Sequence, residues 1–257
     1  MTSNGAILRA IEVTKRFGGL TAVDRVSFSL RPGTIKALIG PNGAGKTTML
    51  NMLSGVFSPT SGYIEIRDER VNGREAHGVA RLGVARTFQT VQLFGNMSVV
   101  ENVMMGLHSK GKAGMIGSAL RLPWIANEER WIFQRAMEHL AAVGLEGRAF
   151  EPATNLPFGQ QRLLEIARAM ASEPKVILLD EPAAGLSVRE AEELAGMIQK
   201  IRESGVAVLV VDHDMRLIMD ISDEVVVLDH GRKIAEGTPR EVQSNPDVIL
   251  AYLGEEL

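Results

Sequence analysis

A glycine-rich loop constrains this chain more than any other stretch of the sequence. Residues 40–48 read Gly-Pro-Asn-Gly-Ala-Gly-Lys-Thr-Thr and fill the pattern G-x-x-x-x-G-K-[S/T] at every fixed position. Residues 34–39 predict a buried strand before the loop, and residues 47–56 predict a helix after it. The sequence therefore predicts a P-loop, a phosphate-binding motif that kinases, GTPases and motor proteins share.

The residue types of the P-loop suit a polyanionic ligand. The first turn of a helix offers unpaired N–H groups and the positive end of the helix dipole to phosphate oxygens. Gly43 and Gly45 let the backbone approach the phosphates, Lys46 is predicted to reach the β- and γ-phosphates, and the Thr47 hydroxyl to bind Mg²⁺. The predicted nucleotide-binding residues of the loop are Gly40, Pro41, Asn42, Gly43, Ala44, Gly45, Lys46, Thr47 and Thr48.

Composition narrows the class of protein. The chain has 257 residues, 45% of them hydrophobic, which is enough for one large domain with a sizeable core. A net charge of -3 gives no general attraction to nucleic acid or acidic membranes, and no nucleic-acid partner is expected. There is no cysteine, the first residues lack the features of a signal peptide, and no apolar run is long enough to span a membrane. If a membrane is involved, we expect another chain to cross it.

The order of apolar runs predicts an α/β fold. Two β-rich runs before the P-loop predict an antiparallel sheet, and the alternation of strands and helices after residue 172 predicts a doubly wound parallel core. We predict one domain over residues 1–257, with a P-loop NTPase (RecA-like) core in about 1–93 and 172–257. An antiparallel β subdomain belongs to the core, and an inserted α-helical subdomain covers about 94–171.

Capping signals place helices in and after the insertion. Ser98 with Glu101 forms a capping box before a helix predicted over Val99–Leu107, and Asn127 is predicted to cap a second helix ending near Gly144. The predicted apolar face of this second helix contains Ile132, Phe133, Ala136, Met137, Leu140 and Ala141. Residues 109–123 predict an irregular connection. Further capping boxes start helices at Ser187 and Thr238, and residues 245–247 start a last short helix.

Polar residues follow the predicted core strands. Asp180 and Glu181 end a buried strand, so they are predicted at the edge of the sheet that also holds the P-loop. Asp180 suits a Mg²⁺ ligand, and Glu181 suits a base that orients and deprotonates an attacking water. His213 follows the next strand and is predicted to reach the γ-phosphate. For His213 and for Gln89, which follows another strand, a merely solvated polar residue is the alternative.

Taken together, these residues resemble the ATP-binding subunits of ABC transporters over nearly the whole chain. The landmarks fall in the family's order: the P-loop, Gln89, residues 156–160, residues 176–181, residues 184–187 and His213. The resemblance implies a head-to-tail dimer of two ATPase subunits, in which Gly159 and Gln160 of one subunit face the nucleotide on the P-loop of the other. It also implies that Gln89 contacts Mg²⁺ and that Phe17 stacks on adenine, although a core aromatic is an equally good interpretation of Phe17.

Two positions depart from the family's usual pattern. The signature is usually L-S-G-G-Q, and here Pro157 replaces the serine and Phe158 the first glycine, which removes one hydroxyl donor. The backbone N–H of Gly159 remains available at a helix N-terminus. Ser187 stands where the family commonly has Asp, so the helix cap is kept while a charge is lost. The effect of both departures on turnover is left open by the sequence.

Residues 156–162 and 164–169 resemble the subgroup that serves bacterial importers of branched-chain and other hydrophobic amino acids. The insertion from Gly106 to Asn127 and the C-terminal residues 235–254 are also similar to the longer of that importer's two ATPase subunits. This resemblance implies two membrane-spanning permease subunits as partners, an indirect link to a periplasmic or extracellular solute-binding protein, and a peripheral position on the cytoplasmic face of the inner membrane. Alternatives are the ATPase of a lipid or lipopolysaccharide exporter, a soluble ABC-type ATPase and a P-loop kinase. The sequence leaves the solute and the homo- or heteromeric nature of the dimer open.

A hydrophobic stretch beyond Gln89 has two possible interpretations. It is either a groove that receives a short helix of a membrane subunit or ordinary core of the helical insertion. The residues concerned are Val91, Leu93, Phe94, Met97, Val99 and Val103.

Overall fold

The computed structural model describes residues 5–107 and 123–253. Its strands are β1 (Leu8–Phe17), β2 (Leu20–Leu30), β3 (Ile35–Ile39), β4 (Ser61–Ile66), β5 (Glu69–Arg70), β6 (Val84–Arg86), β7 (Val176–Asp180), β8 (Ala207–Val211), β9 (Glu224–Asp229) and β10 (Arg232–Gly237). Its α-helices are α1 (Lys46–Leu53), α2 (Ala76–Arg81), α3 (Val99–Leu107), α4 (Pro123–Ala142), α5 (Phe158–Ala171), α6 (Val188–Glu203), α7 (Met215–Ile221), α8 (Pro239–Gln243) and α9 (Pro246–Leu253).

A six-stranded sheet with the order β10-β9-β3-β8-β7-β6 forms the centre of the core. All its neighbouring pairs are parallel except β10 with β9. Strands β3, β7 and β8 are buried at every residue, as expected for parallel strands with both faces covered. The predicted α/β class is confirmed, and the carboxyl ends of β3, β7 and β8 lie at one edge of this sheet.

A second sheet is antiparallel, with the order β2-β1-β4-β5. Leu8 of β1 lies opposite Leu30 on one side and Ile66 on the other, and all three side chains are buried. These residues share one hydrophobic cluster with Met49 and Leu53 of α1. The antiparallel sheet therefore packs in the same core as the helix that follows the P-loop.

The chain divides into two compact units. One unit contains residues 1–89 and 175–257, and the other contains residues 90–174. The second unit is built from α3, α4 and α5 and two single 3-10 turns, Glu146–Arg148 and Ala153–Asn155. Its main hydrophobic cluster includes Val99, Val103, Ala136, Leu140 and Leu164, all fully buried. We call it the helical unit, and the first unit the core unit.

Helix α4 corrects two sequence predictions. The helix begins at Pro123 and not at Asn127, which lies exposed within it. Proline is favoured in the first turn of a helix, where its missing N–H leaves no bond unmade, and this signal outweighs that of Asn127. Ala141, which the helical period places on the apolar face, is exposed near the helix end. The predicted irregular connection lies, apart from Pro123, outside the described residues.

The predicted capping boxes are present. Glu101 accepts hydrogen bonds from the backbone N–H and the hydroxyl of Ser98, both at 2.7 Å, and these bonds lower the pKa of Glu101. Ser187 with Glu190 and Thr238 with Glu241 make the same reciprocal contacts. Three helix starts are thus fixed by local side-chain chemistry.

Three short elements are absent from the sequence prediction: β5, α2 and β10. Strand β10 is the most important, because it forms the antiparallel edge of the six-stranded sheet. Within the described ranges, the structure contains no helix long and apolar enough to cross a bilayer.

Candidate functional site

The P-loop connects β3 to α1 and depends on three glycines with positive φ. These are Gly40 (147°), Gly43 (78°) and Gly45 (100°). A Cβ atom at Gly40 would lie 2.1 Å from the Leu228 carbonyl oxygen, and one at Gly45 would lie 2.5 Å from the Ala22 carbonyl oxygen. A Cβ at Gly43 would meet no atom within 4 Å. Gly40 and Gly45 therefore let the loop pack closely against the Leu228 and Ala22 carbonyls, while the space beside Gly43, in front of the helix, stays open.

The N-terminus of α1 is open to an anion. No side chain caps it, and its first turn contains no acidic residue. Thr47 is exposed and Thr48 is half-buried, as is Lys46, whose ammonium group donates to the carbonyls of Gly40 and Pro41 at 2.5 and 2.8 Å. The uncapped N–H groups, the lysine and the open space at Gly43 fit a phosphate group. Of the other loop residues, Pro41 and Ala44 are buried and Asn42 is exposed.

Asp180, at the end of β7, is held by a residue that sequence reasoning missed. Its carboxylate lies 2.9 Å from the guanidinium of Arg86, and both side chains are largely buried. The same guanidinium donates to Asn51 and Ser54 at 2.7 and 2.9 Å. Arg86 thus joins Asp180 to the C-terminal end of α1, the helix that follows the P-loop. A basic residue at the end of β6, the strand paired with β7, is the signal that could have revealed this contact.

Glu181 is brought together with Gln89 and His213. Its carboxylate accepts a hydrogen bond from the Gln89 side-chain amide at 2.8 Å and lies 3.8 Å from His213 Nδ1. Glu181 has a positive φ of 45°, and its N–H bonds to the Val211 carbonyl at 2.7 Å. An unfavourable backbone conformation persists only where the surroundings enforce it. The His213 side chain is 72% exposed and so is accessible to a ligand at this edge.

Asp212 is the second residue that the sequence analysis missed. Its buried carboxylate accepts the N–H groups of His213 and Asp214 at 2.8 and 3.0 Å through Oδ1, and that of Ala183 at 2.9 Å through Oδ2. Asp212 therefore ties the loop after β8 to the loop after β7. It orients both segments and is not itself accessible.

Phe17 lies at the end of β1 and is 43% exposed, so the alternative of a core aromatic is wrong. Its ring makes an edge contact with Phe57 at 5.5 Å between centroids. Lys15 Nζ lies 5.3 Å from both ring centroids. The accessible aromatic and its neighbouring cation form a surface on which a flat ring can stack.

Gly159 and Gln160 belong to the helical unit, at the start of α5. Gly159 is buried, and the Gln160 side-chain oxygen accepts a hydrogen bond from Arg148 at 2.6 Å. Pro157 occupies the N-cap position without a side-chain cap, which leaves the first N–H groups of α5 available. Phe158 beside them is 46% exposed.

The hydrophobic stretch beyond Gln89 divides between two environments. Val99 and Val103 are fully buried in the core of the helical unit, so their assignment to a surface groove is wrong. Phe94 is exposed, and Val91, Leu93 and Met97 are half-buried. Only the part up to Met97 remains as a candidate contact surface.

Two family models match the chain. The ABC transporter model matches residues 23–184, and a branched-chain amino acid ATP-binding cassette transporter model matches residues 232–257. The first spans the whole helical unit and residues 23–89 and 175–184 of the core unit, and the second begins with β10.

Proteins with curated functions match over nearly their full length. The high-affinity branched-chain amino acid transport ATP-binding protein LivG of Salmonella typhimurium is 46% identical over 241 residues, covering 93% of this chain and 94% of that protein. BraF of Pseudomonas aeruginosa, with the same description, is 44% identical over 250 residues, covering 97% and 98%.

Solved structures match equally broadly. The ADP conformation of MJ1267, an ATP-binding cassette of an ABC transporter, superposes with a TM-score of 0.84 at 31% identity, covering 97% of this chain and 99% of the other. A dimeric post-hydrolysis state of the ATP-binding cassette MJ0796, bound to ADP and phosphate, superposes with a TM-score of 0.75 at 27% identity, covering 91% and 99%. On the evidence of the matched models, relatives and structures, the chain belongs to the ABC transporter family as an ATP-binding cassette.

Proposed function

We propose that this chain is the ATP-binding and ATP-hydrolysing subunit of an importer for branched-chain or other hydrophobic amino acids. One observation carries the catalytic part: Glu181, held by Gln89 and facing His213, stands at the sheet edge from which the P-loop also starts. The match of residues 232–257 to the branched-chain transporter model supports the importer over the lipid exporter.

The P-loop supplies the phosphate site of this proposal. The N–H groups at the start of α1 and the Lys46 ammonium stabilise the β- and γ-phosphates, and Lys46 exchanges its carbonyl partners for phosphate oxygens. Phe17 provides the stacking surface for the adenine ring.

The Thr47 hydroxyl, Asp180 and Gln89 are the residues that would hold Mg²⁺. These are oxygen ligands, which Mg²⁺ prefers, and Mg²⁺ is usually bound by one or two carboxylates together with substrate phosphates. Bound Mg²⁺ would neutralise charge on the phosphates.

Hydrolysis follows from the environment of Glu181. A carboxylate that accepts one hydrogen bond from Gln89 retains lone pairs with which it can orient a water molecule and accept its proton. The exposed His213 imidazole is positioned to hydrogen-bond the γ-phosphate. The buried ion pair with Arg86 fixes the position of the Asp180 carboxylate, which precedes Glu181 in the chain.

The proposal includes a second ATPase subunit, of the same or a related sequence, in a head-to-tail dimer. The start of α5, with Gly159 and Gln160, would then face the nucleotide on the partner's P-loop. The dimeric structures of the MJ0796 cassette support association into a dimer. Two membrane-spanning permease subunits would hold the dimer at the cytoplasmic face of the inner membrane, where the exposed Phe94 surface is the candidate contact. A solute-binding protein would act on the outer side, without touching this chain.

Glu181→Gln tests the catalytic assignment. We expect ATP hydrolysis to fall by at least about 100-fold, the usual contribution of a general base, while ATP binding persists and an ATP-bound dimer accumulates on size exclusion. Glu192→Gln is a matched control, because Glu192 is an exposed residue of α6. Full turnover by Glu181→Gln would refute the role of Glu181. Failure of the wild-type complex to drive ATP-dependent uptake of any branched-chain or other hydrophobic amino acid into vesicles would refute the importer assignment.

A further inference from the structure

The helical unit contains an ion pair that the catalytic mechanism does not use. Arg162 and Glu165 of α5 are 0% and 1% exposed, and Arg162 Nη1 lies 2.8 Å from Glu165 Oε2. Removing two charges from water costs several kcal/mol for each ion, so a buried pair is often no more stabilising than apolar residues of similar size. The pair therefore calls for an explanation other than stability.

The second carboxylate oxygen of Glu165 offers such an explanation for the ion pair. Glu165 Oε1 accepts the backbone N–H of Gln92 at 3.3 Å. Arg168, almost one helical turn further along α5, donates from Nη2 to the carbonyl oxygen of the same residue. Burial lowers the pKa of the Arg168 guanidinium, which nevertheless stays charged. Two charged side chains of α5 thus bind both backbone polar groups of Gln92.

The backbone two residues later is fixed by a second helix. Asn102 of α3 is fully buried, and its side chain accepts the N–H of Phe94 at 2.9 Å and donates to the carbonyl of Phe94 at 3.1 Å. The guanidinium carbon of Arg168 lies 5.3 Å from the centroid of the Phe94 ring. The ring itself is 45% exposed. An accessible aromatic side chain therefore sits on a backbone segment that α3 and α5 hold rigidly.

We propose that Glu165, oriented by Arg162, and Arg168 are positioning residues that fasten the Gln92 peptide to α5, so that the Phe94 surface follows any displacement of this helix. The inference rests on the proposed function, in which the start of α5 faces a nucleotide and Phe94 faces a membrane partner. A pair kept for stability alone has no need of the bond from Glu165 to Gln92. The fastening gives the helical unit a direct mechanical link between its two functional surfaces.

Two charge-free double variants separate fastening from stability. R162Q/E165Q retains a side-chain oxygen that can accept the Gln92 N–H, whereas R162M/E165M provides no such oxygen and fills the space with unbranched apolar chains. In the full-length chain, we expect the Gln92 amide to exchange with deuterium at least about 10-fold faster in R162M/E165M than in R162Q/E165Q. Equal exchange rates in the two variants would overturn the fastening.

R168M provides a second measurement in case R162M/E165M does not fold. It removes the donor to the Gln92 carbonyl and the cation over the Phe94 ring, and leaves the ion pair in place. Faster exchange of amides in residues 92–95 is the expected result. Exchange as slow as in the wild type would contradict the role of Arg168.

The functional readout is solute uptake per ATP hydrolysed, with the complete transporter reconstituted in vesicles. We expect R162M/E165M to lower this ratio at least about fivefold while the isolated chain hydrolyses ATP at the wild-type rate, and R162Q/E165Q to retain the ratio. Wild-type uptake with equal ratios in both variants would overturn the inference alone. Absence of wild-type uptake would instead refute the proposed function, and the exchange measurements would still decide the fastening.

Discussion

Replacement of Asp212 tests how the catalytic edge is held together. This buried carboxylate receives three backbone N–H groups, two on Oδ1 from His213 and Asp214 and one on Oδ2 from Ala183. Asp212→Ala leaves all three donors without an acceptor. Asp212→Asn keeps an oxygen for His213 and Asp214 but turns an NH₂ group toward the N–H of Ala183, so that one bond is lost and two donors face each other.

The loss of unfolding free energy can be estimated for each of the two variants. Each buried N–H left unsatisfied costs roughly 1–3 kcal/mol of unfolding free energy. Asp212→Asn should therefore cost about 1–3 kcal/mol for the buried N–H of Ala183. Asp212→Ala should cost more, about 3 kcal/mol, because it also leaves the part-buried N–H groups of His213 and Asp214 without this acceptor. With a urea m value of about 3 kcal/mol/M, the alanine variant should unfold at a urea concentration lower by about 1 M or more.

Urea unfolding followed by far-ultraviolet circular dichroism gives the measurement, with ATP hydrolysis measured on the same samples. Asp220→Ala is the control, because Asp220 is exposed on α7 and surface changes of this kind usually stay within about 0.5 kcal/mol. Hydrolysis should fall in both Asp212 variants under conditions where they remain folded, since the loops carrying Glu181 and His213 lose their common anchor. An alanine variant no less stable than the asparagine variant would refute the assignment of three bonds to this carboxylate.

Two further predictions concern backbone geometry and pH. Gly40→Ala should destabilise the fold strongly, because its Cβ would lie 2.1 Å from the Leu228 carbonyl oxygen. Gly43→Ala should lower the free energy of unfolding by only about 1–2 kcal/mol, because of its positive φ, and should mainly weaken ATP binding. Equal melting temperatures of the two variants would contradict this prediction. Burial and then the nearby charge of Arg135 lower the pKa of His139 below its ordinary 6.5, so the folded state binds fewer protons than the unfolded chain. The stability of the wild type should therefore fall as the pH drops through 6.5, and that of His139→Leu should fall less. Thermal melts between pH 5 and pH 8 give the measurement, and melting temperatures that change in parallel with pH in the two proteins would contradict the prediction.

The elements that sequence reasoning predicted well are those specified by local chemistry. Strands β3, β7 and β8 are short, mostly apolar runs that remain buried at every residue, and α3 begins where Ser98 and Glu101 cap each other. Strand β10 was missed because its sequence, Arg-Lys-Ile-Ala-Glu-Gly, is mostly polar. Its conformation comes from pairing with β9, which local pattern does not reveal.

The functional site, too, was only partly predictable from local sequence pattern. The P-loop, Glu181 and His213 were predicted from the motif and their place after strands, and the structure brings Gln89, Glu181 and His213 together. The partners of the carboxylates were not predicted, because a contact between residues distant in the sequence can be recognised only once the strand pairing is known. Arg86 at Asp180 and Asp212 at Ala183 emerge only when neighbouring strands align their ends.

Those partners explain how two adjacent carboxylates can serve different functions. Asp180 ends its strand in regular β conformation and is bound to the guanidinium of Arg86, which fixes its oxygens beside α1. Glu181, the next residue, adopts a positive φ and turns its carboxylate to a neutral amide and an exposed imidazole. The cation-bound group is suited to a fixed structural or metal-binding role, while the group beside the imidazole has the accessible oxygens that a base requires. The change from β conformation at Asp180 to a positive φ at Glu181 therefore directs the two carboxylates into separate environments. The hydrogen bond from the Glu181 N–H to the Val211 carbonyl holds this conformation in place.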